Sequence, residues 1–156
     1  HKSMHNIFNR KIFDITFNKD FYQVITTCKN IYRRDQQGTW ISDEIVEAYT
    51  RLHEMGLARS VEVWQNKKLV GGLYGVDIGN GIFCGESMFS KVSNASKVAF
   101  YTLLQDLKEK DYLLLDCQVY NEHLESLGAY EILRSEYMKY LLEGNIRLRI
   151  KKMKAS

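Results

Sequence analysis

Two residues, two apart in the chain, have types and spacing suited to orienting an attacking amine. Asp116, Cys117 and Gln118 close the apolar run Leu113-Leu114-Leu115. In open α/β sheets, ligands bind outside the carboxyl ends of such strands. A strand running through residues 112–119 puts Asp116 and Gln118 two apart, on one face. An ionised carboxylate beside an amide can orient an attacking amine and stabilise its developing positive charge. A plain hydrogen-bonding pair at a strand end is the simpler alternative. Cys117 points the other way in this pattern and reads as a core thiol rather than a nucleophile.

Two further residues stand out. Glu86 lies in Gly85-Glu86-Ser87-Met88-Phe89, between apolar Phe83 and Met88. A carboxylate buried there needs a partner or a shifted pKa. Facing outward, it needs neither. Trp40, in Gly38-Thr39-Trp40-Ile41, offers a flat face for stacking a nucleobase. The alternative is a hydrophobic staple onto the helix that follows. The four histidines, His1, His5, His53 and His123, have no metal-ligand spacing, so no metal site is expected. Neither a G-x-S-x-G elbow nor a Walker loop occurs.

These residues need a scaffold, and hydrophobic periodicity supplies one. Residues 11–17 alternate as a strand, and residues 18–29 place Phe21, Val24, Ile25 and Cys28 on one helical face. Residues 33–39 read as a polar loop. Ser42 is a good N-cap for a helix that Gly56 ends. Strands are expected over residues 60–64, 68–77 and 82–89, and a helix from Asn94 to Lys110. Residues 112–119 form a continuous apolar strand of the parallel-compatible kind. Short helices over 121–127 and 134–142 follow. Antiparallel strands and then a strand–helix–strand crossover predict an α+β fold. Its mixed sheet carries helices on both faces, as in the GCN5-related acetyltransferases.

Composition agrees with one body. The 156 residues are 45% apolar and 26% charged, which excludes a disordered or collagenous chain. No apolar run approaches the roughly 18 residues of a membrane span, so no membrane partner is expected. The odd count of three cysteines, without a C-x-x-C pair, reads as thiols in a reducing compartment, which points to the cytoplasm. Residues 1–34 carry +5 and residues 144–156 carry +5, around a centre at −7. Basic ends suit a polyanion, and an acidic middle suits a cation. Charged, solvated ends explain the same pattern without a ligand. The expected organisation is a transferase domain over residues 1–143 and a basic tail over 144–156.

The expected fold makes one demand that this chain does not meet. Coenzyme A enzymes of that fold cradle a pyrophosphate on a glycine-rich turn before a helix. Here the turn is Ser90-Lys91-Val92-Ser93-Asn94-Ala95-Ser96-Lys97, without a glycine. No coenzyme A nest is expected.

A succession of words then resembles one family. Gly38-Thr39-Trp40-Ile41, Ser60-Val61-Glu62-Val63-Trp64, Leu69-Val70-Gly71-Gly72-Leu73-Tyr74-Gly75, Phe83-Cys84-Gly85-Glu86-Ser87-Met88-Phe89-Ser90, Ala95-Ser96-Lys97, Asp116-Cys117-Gln118 and Ser126-Leu127-Gly128-Ala129 follow in order. The chain is similar to the leucyl/phenylalanyl-tRNA–protein transferases from about His1 to Leu142. The resemblance implies transfer of Leu or Phe from aminoacyl-tRNA to the N-terminal Arg or Lys of acceptor proteins, marking them for degradation. It implies no cofactor. It also implies that Asp116, Gln118 and Glu86 stand at the peptide-forming centre and that Trp40 stacks the terminal adenosine of tRNA. Leu73, Phe83, Met88, Leu103, Leu107 and Leu115 would line the pocket for the transferred side chain. Most of the family's smaller N-terminal domain is not represented in this sequence. Arg59 stands where the family usually has His, and Leu133 where it usually has Pro. A coenzyme A-dependent acetyltransferase and a non-catalytic RNA-binding remnant are the rival readings.

Overall fold

A computed structural model of the chain describes residues 12–31 and 39–142. Most of the loop expected over residues 33–39, and the basic tail, lie outside them. The element order is β1 (Asp14–Phe17), α1 (Phe21–Asn30), α2 (Asp43–Glu54), β2 (Ala58–Gln65), β3 (Lys68–Asp77), β4 (Ile82–Ser90), α3 (Ala95–Glu109), β5 (Leu114–Asp116) and α4 (Glu122–Ser126). A last helix occupies residues 134–142. The five strands form one sheet in the order β1-β2-β3-β4-β5. The first three pairings are antiparallel and β4–β5 is parallel.

Strand alternation sorts the side chains onto two faces. Val61, Val63, Leu73 and Phe83 pack on one face with Val98, Leu103 and Leu107 of α3. Leu69, Tyr74 and Phe89 pack on the other with Phe21, Val24 and Ile25 of α1 and Val46 of α2. The chain therefore has helices on both faces of a mixed sheet, as its periodicity requires. Gly71 lets α3 approach β3 closely, because a Cβ there would lie 2.5 Å from the Cβ of Ala95.

Of the boundaries that differ from expectation, two have a clear physical cause. α1 begins at Phe21 rather than residue 18, because Asp20 is the cap and accepts the N–H of Gln23 at 3.0 Å. Asn18 is instead left-handed (φ 56°) and accepts the N–H of Ser60 at 2.9 Å, tying β1 to β2. Below it lies Glu62, 0% exposed. Its carboxylate accepts hydrogen bonds from the Ser60 hydroxyl, Thr16 Oγ1 (2.5 Å) and the N–H of Lys19 (3.2 Å). Trp64 Nε1 donates to that same Thr16 oxygen at 2.8 Å. These donors supply the compensation that a buried carboxylate requires.

The second difference matters for function. The strand expected over residues 112–119 is only Leu114–Asp116. Gln118 has left the strand at φ 64°, and its N–H donates to Asp116 Oδ1 at 2.8 Å. An aspartate can satisfy the backbone two residues on and so turn the chain. The period-two reasoning that put Asp116 and Gln118 on one strand face does not hold here.

Candidate active site

The site arises where two parallel strands part. β4 and β5 pair only at Ile82–Leu114, Phe83–Leu115 and Cys84–Asp116. β4 continues to Ser90 while β5 stops, so residues 85–90 have no β5 partner and a cleft opens. Glu86 and Gln118 each stand two residues beyond the last pair, one on each side of the opening. The antiparallel register of β3 and β4 slips at the same level. Tyr74 faces Ser87 and Gly75 faces Gly85, which leaves Glu86 as the extra residue of a bulge. A bulge re-aims the side chain that it carries. It needs Gly75 opposite, because a Cβ there would sit 2.3 Å from the carbonyl oxygen of Cys84.

A cavity of about 840 Å³ fills the cleft. Trp40, Leu73, Glu86, Met88, Leu103, Leu115 and Gln118 all line it. Seven of the ten residues singled out in the sequence thus come together from six segments of the chain. Asp116 faces an adjoining cavity of about 640 Å³, which shares residues 117–121 with the first. Phe83 and Leu107 line neither cavity. Both are packed into the α3-side core, at 0% and 3% exposure. Alternation turns Phe83 beneath Arg59, whose guanidinium lies 5.9 Å from the ring centroid.

Trp40 is 48% exposed at the rim, whereas Ile41 is 1% exposed and shares a core cluster with Val46. Ser42 caps α2, so Ile41 and Val46 occupy the two staple positions, and the Trp40 ring remains free. Cys117 borders both cavities. Burial, and then the charge of Asp116, push its thiol above the ordinary value, so it is a poor nucleophile. Cys84 is pushed up to about 11 by burial and by Asp116, Glu86 and Asp77. Among the described residues no group of three or more His, Cys, Asp or Glu side chains is placed to hold a metal ion.

Sequence reasoning missed one residue packed behind the cleft. Tyr49 fits the helical spacing of Ile45 and Leu52 and reads as core. Its ring nevertheless packs edge-on against Tyr74, which lines the cavity, with centroids 5.5 Å apart. Burial first, and then the charge and hydrogen bond of Glu86, push the Tyr49 phenol up to about 12.

The turn before α3 uses its own backbone. The N–H of Lys91 donates to Val70 O at 2.7 Å, that of Ala95 to Val92 O at 3.3 Å and that of Ser96 to Ser90 Oγ at 3.2 Å. These donors are committed within the protein rather than aimed at a phosphate.

A sheet parting between β4 and β5 with an acyl-sized cleft defines the class: this is the GCN5-related acetyltransferase fold. An aminoglycoside acetyltransferase from an uncultured soil metagenomic sample, solved with trehalose, superposes at TM-score 0.60 and 14% identity, over 78% of this chain and 92% of its own. A predicted acetyltransferase of Clostridium acetobutylicum solved with acetyl-CoA gives 0.56 at 10% identity, over 78% and 92%. At such identity the likeness establishes the fold alone.

Sequence carries the assignment further. The family model for leucyl/phenylalanyl-tRNA protein transferase matches residues 1–142, and the chain belongs to that family. The leucyl/phenylalanyl-tRNA–protein transferase of Flavobacterium johnsoniae is 62% identical over 140 residues, covering 90% of this chain and 66% of the relative. That of Thermodesulfovibrio yellowstonii is 48% identical over 143 residues, covering 92% and 58%. The chain thus spans about two thirds or less of these relatives' length.

Proposed function

We propose that this chain transfers Leu or Phe from aminoacyl-tRNA to the N-terminal Arg or Lys of acceptor proteins, forming a peptide bond that marks them for degradation. The cleft between β4 and β5 carries this reading, because it joins an apolar cavity to Glu86 and Gln118, with Asp116 across a shared wall. The leucyl or phenylalanyl side chain enters among Leu73, Met88, Leu103 and Leu115. The adenosine bearing the ester stacks on Trp40 at the rim. We place the reaction in the cytoplasm, where charged tRNA is found. No described helix is long and apolar enough to cross a membrane.

An aminoacyl ester is already activated, so neither a cofactor nor a covalent enzyme intermediate is required. Holding ester and amine together can supply much of the rate enhancement. The acceptor's α-amine attacks the ester carbonyl, the C–N bond forms and the tRNA hydroxyl leaves. The Gln118 amide accepts a hydrogen bond from the attacking amine. Asp116 fixes the Gln118 turn and stabilises the positive charge on the amine, with Glu86 on the opposite wall. The acidic centre of the chain favours an acceptor whose first residue is basic.

The deciding experiment pairs filter binding of Leu-tRNA and Phe-tRNA with transfer to a peptide bearing N-terminal Arg. Both should be positive. Binding without transfer would support the RNA-binding remnant. Calorimetry should detect no acetyl-coenzyme A binding, since the turn before α3 has no glycine and three of its N–H groups are spent internally. Micromolar binding in that groove would instead favour the acetyltransferase.

A further inference from the structure

The cavity of the site is walled in part by the sheet and in part by α3, so its width depends on where α3 rests. Leu73 of β3 and Met88 of β4 line it from the sheet, and Phe100 and Leu103 line it from α3. Besides general apolar packing, α3 is fixed to the sheet at two points. Near its start, Ala95 lies against the bare backbone of Gly71. Near its end, Asp106 Oδ2 accepts a hydrogen bond from the guanidinium of Arg59, on β2, at 2.6 Å. We propose that Arg59 is a positioning residue that sets specificity. Its ion pair with Asp106 pins the last turns of α3 to the sheet and so fixes the width of the pocket at Leu103.

The surroundings hold Arg59 in one place. It pairs with Gly75 across the β2–β3 ladder. Gly75 has no side chain, and the ring of Phe83 occupies the space beside it, since a Cβ there would sit 2.5 Å from Phe83 Cε1. The guanidinium lies 5.9 Å from the centroid of that ring and 6.0 Å from that of Phe17, on β1. Aromatic faces attract a guanidinium and orient its planar fork. Phe83 is fully buried, and close-packed interiors transmit a displacement instead of absorbing it. The Arg59 and Asp106 side chains are only 15% and 18% exposed, so salt screens the pair little. Lys110 also meets Asp106 at 2.6 Å, but it stands at the end of the same helix and is 51% exposed. Of the two cations, Arg59 spans helix and sheet, whereas Lys110 does not. Leu103 precedes Asp106 by three residues, so the two are neighbours on the helix surface and move together.

The inference rests on the transferase reading, and its test separates the two. The readout is the ratio of Phe to Leu transferred from a mixture of Phe-tRNA and Leu-tRNA, which a loss of stability alone does not move. Arg59→Gln removes the charge and releases the end of α3. The pocket should widen and the Phe-to-Leu ratio rise about three- to tenfold, at or below the low end of what a methylene-sized change in a pocket produces. Arg59→Met keeps the apolar stem over Phe83 and serves as a second variant with the same expectation. Asp106→Ala should raise the ratio similarly, and combining it with Arg59→Gln should add little, because both remove one interaction. Lys110→Ala should leave the ratio as in wild type. Urea unfolding establishes that each variant is folded at the assay temperature. A ratio that does not rise in the Arg59 variants, an equal rise in Lys110→Ala, or rises that multiply in the double variant would each overturn the inference. A wild-type chain that transfers neither residue overturns the transferase reading instead. Methyl NMR then still decides whether the pin exists. The Leu103 methyl resonances should shift in Arg59→Gln and stay in place in Lys110→Ala, and resonances indifferent to Arg59→Gln would overturn it.

Discussion

Asp116 Oδ1 accepts the backbone N–H of Gln118 at 2.8 Å, and Gln118 sits in the left-handed region at φ 64°. One side chain therefore ends β5 and swings the next polar residue toward the cleft. The amide and the carboxylate reach adjoining cavities because of this turn, rather than by alternating along a strand. The turn also separates two effects of mutation. Asn can still accept the Gln118 N–H, so Asp116→Asn removes charge while preserving the local conformation.

Asp116→Asn and Gln118→Ala should each lower transfer about ten- to a thousandfold, the range for lost positioning or proton-transfer help. Circular dichroism should be unchanged in both. Turnover near that of wild type at saturating tRNA would remove the altered residue from the centre.

Trp40→Ala should weaken aminoacyl-tRNA binding by about 1–3 kcal/mol, as expected for loss of one stacked base. Half of the Trp40 surface is already exposed, and the staple positions belong to Ile41 and Val46. The melting temperature should therefore move by no more than a degree or two. A large fall in melting temperature with unchanged affinity would make Trp40 a structural residue.

The apolar residues should divide by position. Leu73→Phe and Leu103→Phe narrow the cavity and should disfavour transfer of Phe relative to Leu. Leu107 lines neither this cavity nor its neighbour and is 3% exposed. Leu107→Ala should cost about 2–5 kcal/mol of stability and leave the Phe-to-Leu ratio as in wild type. Competition between Phe-tRNA and Leu-tRNA, alongside urea unfolding, checks both expectations. A changed ratio in Leu107→Ala alone would put the pocket elsewhere.

Asp106 should make stability depend on acid pH. Its carboxylate meets Arg59 and Lys110 at 2.6 Å each. Burial works to raise its pKa, but the hydrogen bonds and charges of Lys110 and Arg59 outweigh burial and hold it below the ordinary value. A depressed carboxylate pKa adds stability above the unfolded-state value, and this is lost as pH falls through the folded-state value. Asp106→Asn should be about 1.5–3 kcal/mol less stable at pH 7, the range for hydrogen bonds to charged groups. The gap should narrow below about pH 4, where the unfolded-state carboxyl begins to protonate. Urea unfolding at pH 7 and pH 3 tests the sign, and a gap that widens in acid would contradict it.

Much of this protein follows from local pattern. Helical spacing in residues 95–109 and alternation through β2 and β3 dictate buried faces, because each element must hide its apolar side from water. Ser42 and Asn121 announce helix starts, since a short polar side chain satisfies an otherwise unpaired N–H. The family was legible in contiguous words. Glu86, Asp116, Gln118 and Trp40 stood out for their chemical type.

What the tertiary structure decided was relational. Phe83 and Met88 look equally suited to a pocket in the sequence, yet the bulge at Glu86 and the last β4–β5 pair at Cys84 bury one and turn the other to the cleft. Leu103 and Leu107 share a helix face, but only Leu103 lies level with the opening. Tyr49 carries no local sign of its ring partner Tyr74, which comes from a strand 25 residues further along the chain. Short-range periodicity says which side of an element is covered. Which atoms cover it depends on strand register and on where two strands stop pairing, and both are settled only when distant segments meet.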